Sequence, residues 1–260
     1  MPRRLIALLS CLFVYSTHAQ DILIAAENDW PPYSYLQPGS TQPQGMTPLL
    51  VREAFASQDI VVRFVSVTLG QCQQLTLAGK VAACFDVSVT DDNRKQFLWP
   101  RTPLFYEEVG IFGLLPAQSG IAGQLQTLPG SIDQQTLQGR NLGITQGYTY
   151  PSKLITDPGI RKVVAATESQ LIDMLLDRQV DYILMNTLPG LLHLQQHGAA
   201  GKRVQRLGVV GMDAFLLAFS RRHPQGAALA RKFDAGMQTL HASGRYQQIM
   251  QSYRQQLGMP

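Results

Sequence analysis

Five aromatic side chains lie next to strand-like segments of this sequence, where folding could gather them around a bound molecule. They are Trp30, Tyr33, Tyr35, Tyr148 and Tyr150. The carboxyl ends of strands are the places where open α/β sheets bind ligands. We therefore expect a pocket for a small molecule at these strand ends, and we expect at least two of the five rings to belong to the core.

The chain carries none of the short motifs that indicate a common catalytic site. It has no Gly-rich phosphate loop, no His-Glu-x-x-His and no Gly-x-Ser-x-Gly. The pair Asp91-Asp92 is expected to form the acidic first turn of a short helix, where negative charge is favourable. Four histidines lack a carboxylate at a diagnostic spacing and are expected to be solvated: His193, His197, His223 and His241. No metal or other cofactor is expected.

Apolar runs that alternate with amphipathic segments predict a parallel sheet covered by helices. Strands are predicted at 21–26, 60–67, 81–85, 142–145, 180–185, 204–210 and 215–220. Helices are predicted at 48–57, 71–78 and 187–196, after a capping box at Thr167 and Gln170, and on both sides of Gly244 near the C-terminus. The sequence thus predicts two α/β units in succession.

The composition is that of a globular protein and excludes several other classes. The chain has 260 residues, 45% of them hydrophobic, which suffices for one large domain or two smaller ones. Without low-complexity tracts or runs of like charge, it is neither disordered nor fibrous. The net charge of +4 comes without a basic stripe, so nucleic acid is not an expected partner.

Residues 1–19 are interpreted as a secretory signal. Two arginines precede an apolar run, and the small residues Thr17 and Ala19 suit cleavage before Gln20. A retained membrane anchor, and a lipoprotein modified at Cys11, are the alternatives. We expect the mature chain to be exported to the periplasm.

Export would place the two remaining cysteines, Cys72 and Cys84, in an oxidising compartment. A disulfide between them would close a short loop and contribute roughly 2–3 kcal/mol to stability. Two buried free thiols are the alternative, whereas a metal site would need further ligands, and no histidine lies near either cysteine. We predict the disulfide.

Three stretches together resemble the periplasmic solute-binding proteins of the polar amino acid transporter type, which are bacterial extracellular solute-binding protein family 3. Residues 27–33 are similar to the family's first-strand turn, which ends in Pro-Pro-aromatic. Residues 78–94 resemble its Gly-Lys-hydrophobic-Asp and Ser-x-Thr-x-x-Arg region. Residues 142–149 resemble the turn of its second lobe, Val-Gly-Val-x-x-Gly-Ser/Thr-Thr.

The resemblance implies an α/β fold of two lobes, a type II periplasmic binding protein or venus flytrap, with two crossover strands as the hinge. Residues 20–114 and 210–260 would form one lobe, and residues 115–209 the other. It further implies a monomer that captures a small polar, carboxylate-bearing ligand, such as an amino acid, for an ABC transporter or a membrane sensor. No catalysis is implied.

The resemblance also implies how the ligand is held. Arg94 would clamp its carboxylate through two parallel N–H bonds, helped by hydroxyls of Ser88, Thr90 and Thr149. The expected ligand contacts are Glu27, Trp30, Tyr33, Asp86, Ser88, Thr90, Arg94, Tyr148, Thr149 and Asn186.

The sequence departs from the family pattern at several positions of the expected pocket. Asn186 stands where the family has an acid for the ligand ammonium, which indicates a ligand without a free ammonium at that point. Gly70 replaces a stacking aromatic, and Tyr148 replaces a small hydroxyl residue. One extra residue separates Thr90 from Arg94.

Two other functions stay open at this point. The same fold hosts periplasmic dehydratases of prephenate-like acids, and in such an enzyme Glu27 or Asp86 would serve as the general acid. The third class is a receptor-facing signalling protein whose pocket has decayed.

Overall fold

The computed structural model of the chain describes residues 20–115, 132 and 134–256. The predicted signal segment, residues 1–19, lies outside the described residues. The first part of the chain forms β1 (Gln20–Glu27), β2 (Asp29–Trp30), β3 (Ser34–Tyr35), α1 (Met46–Ala56), β4 (Ile60–Val67), α2 (Leu69–Leu77), β5 (Ala83–Ser88), β6 (Phe97–Leu98) and β7 (Phe105–Leu114). The rest forms β8 (Asn141–Thr145), α3 (Ser152–Ile155), β9 (Arg161–Ala165), α4 (Glu168–Leu176), β10 (Tyr182–Asn186), α5 (Thr187–Gln196), α6 (Gly198–Gly201), β11 (Val204–Ser220), α7 (Gly226–Ala242) and α8 (Arg245–Gln256).

Two parallel units are joined through a pair of long antiparallel strands. The hydrogen-bonded order is β4-β1-β5-β11-β7-β10-β8-β9, with β6 paired to β11. The first unit consists of β1 with its parallel neighbours β4 and β5, and the second of β8 with β9 and β10. Between them, β7 and β11 pair along their length, from Phe105 opposite Phe215 to Leu114 opposite Val204. A further hydrogen bond of 2.7 Å joins Leu115 N–H to the Arg203 carbonyl.

Apolar side chains pack into separate cores at the two ends of this sheet. One core includes Ile24, Phe55 and Phe233, and it places α1, α7 and α8 against β1 and its neighbours. Another includes Leu171 and Ile183, which pack α4 against β10. We call β1, β4, β5, α1, α2, α7 and α8 lobe one, and β8 to β10 with α3 to α6 lobe two. The fold is therefore the predicted two-lobed α/β venus flytrap, with β7 and β11 as the crossover strands, while the exact lobe boundaries stay a prediction.

Local sequence explains where several elements begin. The Thr68 hydroxyl accepts from Gln71 N–H, and Gln71 Oε1 accepts from Thr68 N–H, so a reciprocal cap starts α2. Thr167 accepts from Gln170 N–H at 3.1 Å and starts α4, as predicted. In the described part of the chain, no helix is long and apolar enough to span a bilayer.

The segments predicted as two strands at 204–210 and 215–220 form one strand, β11. The polar stretch between them still pairs with β7, with Met212 opposite Glu108 and Asp213 opposite Glu107. The hydrophobic pattern breaks there because the strand crosses between the lobes instead of lying in either core. Bulges interrupt the pairing near Gly208 and Gly211 and mark a place where the ladder can bend.

The predicted disulfide is present and joins lobe one internally. Cys72 on α2 and Cys84 on β5 are both fully buried, and their sulfurs are bonded. The bond ties the start of α2 to the strand that carries Asp86 and Ser88. It therefore restrains one wall of the site described next.

Candidate functional site

A cavity of about 330 Å³ lies where strand ends of the two lobes face each other. Lobe one contributes the ends of β1 and β5, and lobe two contributes the turn after β8 and the end of β10. The volume is in the range of small-molecule sites. Eight of the ten expected ligand contacts line it: Glu27, Trp30, Asp86, Ser88, Thr90, Tyr148, Thr149 and Asn186.

The aromatic turn after β1 is divided between cavity wall and core. Trp30 lines the cavity, and its ring centroid lies 4.7 Å from that of Phe215, which lines it as well. Tyr33 does not line the cavity. It stacks on Phe105 at 4.2 Å, and its hydroxyl donates to Glu107 Oε2. Burial, followed by the neighbouring Glu107, raises the pKa of Tyr33.

Asp86 occupies an irregular position at the end of β5. Val87 pairs with Leu216 and Cys84 with Ala218, so Phe85 and Asp86 together oppose the single residue Leu217. This bulge is accompanied by a left-handed backbone at Asp86, with φ of 59°. Bulges commonly redirect a side chain at functional sites, and a non-glycine residue in this region carries strain. The carboxyl is 2% exposed, and its Oδ1 accepts from the Thr47 hydroxyl at 2.8 Å.

The carboxyls of Glu27 and Asp86 are both held in an unusual state. Glu27 and Asp86 lie near the ends of the adjacent parallel strands β1 and β5, each two residues beyond the last paired residues, Ala25 and Cys84. Burial raises the pKa of Asp86 to about 8, against the lowering effect of the Thr47 hydrogen bond. Burial also raises the pKa of Glu27 well above its usual range, reinforced by the charges of Asp86, Glu168 and Asp29.

The turn after β5 is held by Asn93. Its Oδ1 accepts from Thr90 N–H at 2.8 Å, its backbone N–H donates to the Thr90 hydroxyl at 3.2 Å, and its Nδ2 donates to the Ser88 carbonyl at 2.9 Å. The short helix expected from Asp91-Asp92 is therefore a turn instead, because the Asn93 side chain satisfies the backbone groups that a helix would pair. Within this turn, Asp92 and Asn93 line the cavity.

Arg94 lies outside the cavity. Its backbone N–H closes the turn on the Thr90 carbonyl at 2.9 Å, and its carbonyl accepts from Trp99 Nε1 at 3.0 Å. The side chain is 62% exposed, and its Nη2 lies 3.7 Å from the carboxylate of Asp91. The extra residue between Thr90 and Arg94 thus coincides with a guanidinium that faces solvent.

Lobe two closes the cavity with Tyr148, Thr149 and Asn186. Tyr148 packs against the main core of lobe one and against a core of lobe two, so its ring spans the lobes. Burial, followed by the charges of Glu168 and Glu27, raises the pKa of Tyr148. Asn186 stands at the N-terminus of α5 without a side-chain capping bond.

Four buried polar atoms on residues that line the cavity have no hydrogen-bond partner among the described residues. They are Trp30 Nε1, Asp86 Oδ2, Ser88 Oγ and Asn186 Nδ2. Buried polar groups are nearly always paired, so each orphan requires an explanation. The set comes from both lobes.

A second cavity of about 750 Å³ adjoins the first through Glu27, Leu69 and Tyr148. It contains an ion pair between Glu168 Oε2 and His193 Nε2 at 3.1 Å. Burial opposes the positive charge of His193, but the hydrogen bond and charge of Glu168 outweigh it and raise the pKa of His193. The prediction of a solvated His193 is wrong, because α4 and α5 meet at this pair.

Several cavity residues escaped the sequence interpretation. Gln73 follows Leu69 by one helical turn on α2, and this i, i+4 spacing is a signal that could have linked them, since both line the cavity. Phe215 stands within β11, where a strand-like pattern indicates core as readily as a wall. Gln96 carries no signal in the sequence.

Comparison with known proteins places the chain in a family. The chain matches the bacterial extracellular solute-binding proteins, family 3, over residues 22–256. No curated protein matches it.

Solved structures share the fold at low sequence identity. A histidine kinase sensor domain with similarity to periplasmic binding proteins superposes with a TM-score of 0.74 at 17% identity, covering 90% of this chain and 95% of that one. An ancestral arginine-binding protein bound to arginine gives 0.71 at 17% identity, over 91% and 99%. A substrate-binding protein of an ABC uptake transporter from Streptococcus pneumoniae, with bound histidine, gives 0.70 at 16%, over 90% and 92%. Because the family match spans nearly the whole described chain, the protein belongs to bacterial extracellular solute-binding protein family 3.

Proposed function

We propose that this protein is a monomeric, periplasmic, non-catalytic solute-binding protein. It captures one small polar molecule between its lobes and presents it to a membrane partner, an ABC transporter or a sensor protein. The observation that carries the proposal is the cavity at the strand ends of both lobes, with four unpaired buried polar atoms on its lining residues. A ligand that bridges the lobes would favour the closed form, which is the signal a membrane partner can read.

The similar structures support a ligand of amino acid size. Two of them hold arginine or histidine, and the cavity volume of about 330 Å³ suits molecules of that size. A transporter component and a sensor domain both occur among these structures, so both partner types are compatible with the fold.

Charge disfavours the dehydratase alternative. Prephenate-like acids are dianions, whereas the lining of each of the two described cavities includes no lysine or arginine. A buried dianion without a positive partner is strongly disfavoured. Absence of aromatic product after incubation with such acids is the expected result.

The proposal is tested with a matched pair of hydroxyl deletions. A thermal-shift panel of amino acids, amines, organic acids and short peptides should identify at least one solute that raises the melting temperature. Ser88→Ala should weaken that binding by roughly 3- to 10-fold, since it removes one hydrogen-bonding group of the site. Ser66→Ala is the control, because its buried hydroxyl is likewise unpaired among the described residues but lies on neither cavity. A panel without any stabilising solute would contradict the proposal.

A further inference from the structure

The ionisable side chains around the two cavities are mostly acidic. Glu27, Asp86 and Asp92 line the first, and Glu27, Asp29 and Glu168 line the second. Among the lining residues of these cavities, His193 is the one side chain that can become positive, and it already pairs with Glu168. A ligand entering the first cavity therefore meets carboxyl groups without a basic side chain beside them.

The Asp86 carboxyl is only half satisfied by the described part of the protein. Its Oδ1 has the Thr47 hydroxyl, whereas its Oδ2 is buried and unpaired among the described residues. The bulge and the left-handed backbone hold it in this position at the end of β5. A structure that maintains a strained, half-satisfied carboxyl in a cavity is expected to gain its missing partner from a ligand.

Glu27 is a second buried carboxyl on the lining of the first cavity. It lies near the end of β1, the parallel neighbour of the strand that carries Asp86, and the charge of Asp86 raises the pKa of Glu27. The charges of Glu168 and Asp29 raise the pKa of Glu27 further. One cationic group placed between Glu27 and Asp86 would offset the cost of burying their charges and the repulsion between the two carboxylates.

The apolar part of the lining also suits a cation. The rings of Trp30, Tyr148 and Phe215 line the cavity, and aromatic faces attract ammonium and guanidinium groups. Conversely, no lysine or arginine of the described residues lines either cavity to pair with a ligand carboxylate, and Arg94 faces solvent beside Asp91. The orphan donors on Trp30 and Asn186 suit a neutral acceptor such as a hydroxyl or carbonyl oxygen.

We propose that Asp86, together with Glu27, binds the cationic group of the solute, and that the solute class is a small organic amine or guanidine that needs no carboxylate. The assignment rests on the proposed solute-binding function and specifies its ligand class. It also gives a reason for the amide at Asn186, since the countercharge stands on lobe one instead.

Three ligands of nearly equal size distinguish the effect of a cationic side chain from the effect of a carboxylate. Agmatine carries a guanidinium and an amine without a carboxylate, and arginine adds the carboxylate. Citrulline keeps the α-ammonium and the carboxylate of arginine but has a neutral side chain. Titration calorimetry should show agmatine binding at least as tightly as arginine and more than tenfold tighter than citrulline. An organic acid without an amine or guanidine that binds as tightly as agmatine would overturn the cation assignment while leaving the solute-binding function intact. Binding of Ca²⁺ or Mg²⁺ without binding of the amine would overturn it as well.

The residue assignment is tested with matched carboxyl deletions. Asp86→Asn should weaken agmatine binding by roughly 30-fold or more, since it removes the charge from a buried pair. Asp213→Asn is the control, because its Oδ2 is also buried without a partner among the described residues and its pKa is likewise raised by burial, but it lies on neither cavity. Arg94→Ala should leave the affinity unchanged. A tenfold loss in Arg94→Ala together with normal binding by Asp86→Asn would overturn the proposal.

A measurement on the unmodified protein guards against variants that fold poorly. At pH 7 the carboxyl of Asp86, with a pKa of about 8, is mostly protonated, so a cation that ionises it must release a proton. Calorimetry in buffers of different ionisation enthalpy should detect this release, and affinity should rise by up to about tenfold per pH unit between pH 6 and 8. Binding of agmatine without proton release would contradict its contact with Asp86. A panel in which nothing binds overturns the solute-binding function itself.

Discussion

Asp86 shows how one buried carboxyl in the cavity makes the stability of the fold depend on pH. When the chain unfolds, the buried carboxyl becomes exposed to water, and its pKa returns to the ordinary value of 3.8. Between about pH 4 and pH 8 the unfolded chain therefore binds fewer protons at this position than the folded chain. Stability must then fall as the pH rises through this window, because folding has to keep the group protonated or bury its charge.

This linkage predicts a pH-dependent stability that one substitution reduces. The free energy of unfolding of the ligand-free protein should decrease from pH 5 to pH 8, by at most about 1.4 kcal/mol per pH unit for each such carboxyl. Asp86→Asn should flatten the slope, leaving the parts contributed by Glu27, Glu107 and Asp213, whose pKa values are also raised. Urea denaturation at each pH measures it. Equal slopes in the parent and in Asp86→Asn would contradict the assignment.

Much of the site could be predicted at the level of single residues, but its charge balance could not. Glu27 at the end of β1 and Thr149 in the turn after β8 reach the cavity because the carboxyl ends of parallel strands meet at one edge of a sheet. Arg94 did not follow, since one extra residue in the turn changes where a long side chain points. The pairing of Glu168 with His193 depends on how α4 approaches α5, and a single sequence contains no distance between separate helices.

At the scale of elements, the contact between α1 and α7 depends on a missing side chain. A Cβ built at Gly236 on α7 would lie 2.1 Å from the carbonyl oxygen of Ala54 on α1, which is backbone and cannot move aside alone. Helix axes normally lie 8–10 Å apart, depending on the side chains at the contact. Gly236 therefore sets how closely these two helices of lobe one approach.

Gly236→Ala should destabilise the protein although alanine favours helices. The overlap with α1 should cost about 1–3 kcal/mol in the free energy of unfolding, as other overpacked positions do. Gly70→Ala is the matched control, since Gly70 is also helical but has nothing within 4 Å of a built Cβ. Chemical denaturation of both variants should show a loss for the first and no loss, or a small gain, for the second. Similar stability in the two variants would show that the helices can separate freely.

The elements themselves were largely predictable where a capping residue or a glycine marks them. Thr167 begins α4, and Gly244 separates α7 from α8, as the sequence indicates. Prediction of two strands instead of β11 failed because its central residues cross between lobes, and local hydrophobic pattern reports burial, not pairing. The periodicity of hydrophobic residues therefore does not reveal a strand that crosses between lobes.

At the scale of the molecule, Tyr148 makes a contact between the two lobes, which are joined by the crossover strands β7 and β11. Its ring packs against the cores of both lobes, so it favours their approach even before a ligand is present. Bulges in β11 near Gly208 and Gly211 allow the ladder to bend. Ligand affinity then depends on how much of the protein is already closed.

Tyr148→Ala should shift the ligand-free protein toward the open form. Loss of one to two kcal/mol of contact between the lobes would change the open-to-closed ratio by roughly 5- to 30-fold. Small-angle X-ray scattering should show a larger radius of gyration, which addition of a binding solute reverses. Tyr182→Ala is the control, because Tyr182 packs only against a core of lobe two among the described clusters. An unchanged radius in Tyr148→Ala would mean that this ring does not hold the lobes together.

The hydrogen bond between Leu115 and Arg203 has a consequence for how such proteins diversify. It brings together the points at which the chain enters and leaves lobe two, so that lobe is an insertion whose ends already touch. Insertions of this kind can be exchanged without stretching the host. A chimera that keeps residues 20–114 and 204–256 but takes lobe two from another family member should fold cooperatively and still prefer amines, because Glu27 and Asp86 stay in the host. Exchange of lobe two at this junction should therefore change which ligands bind, while the preference for a cationic group stays with lobe one.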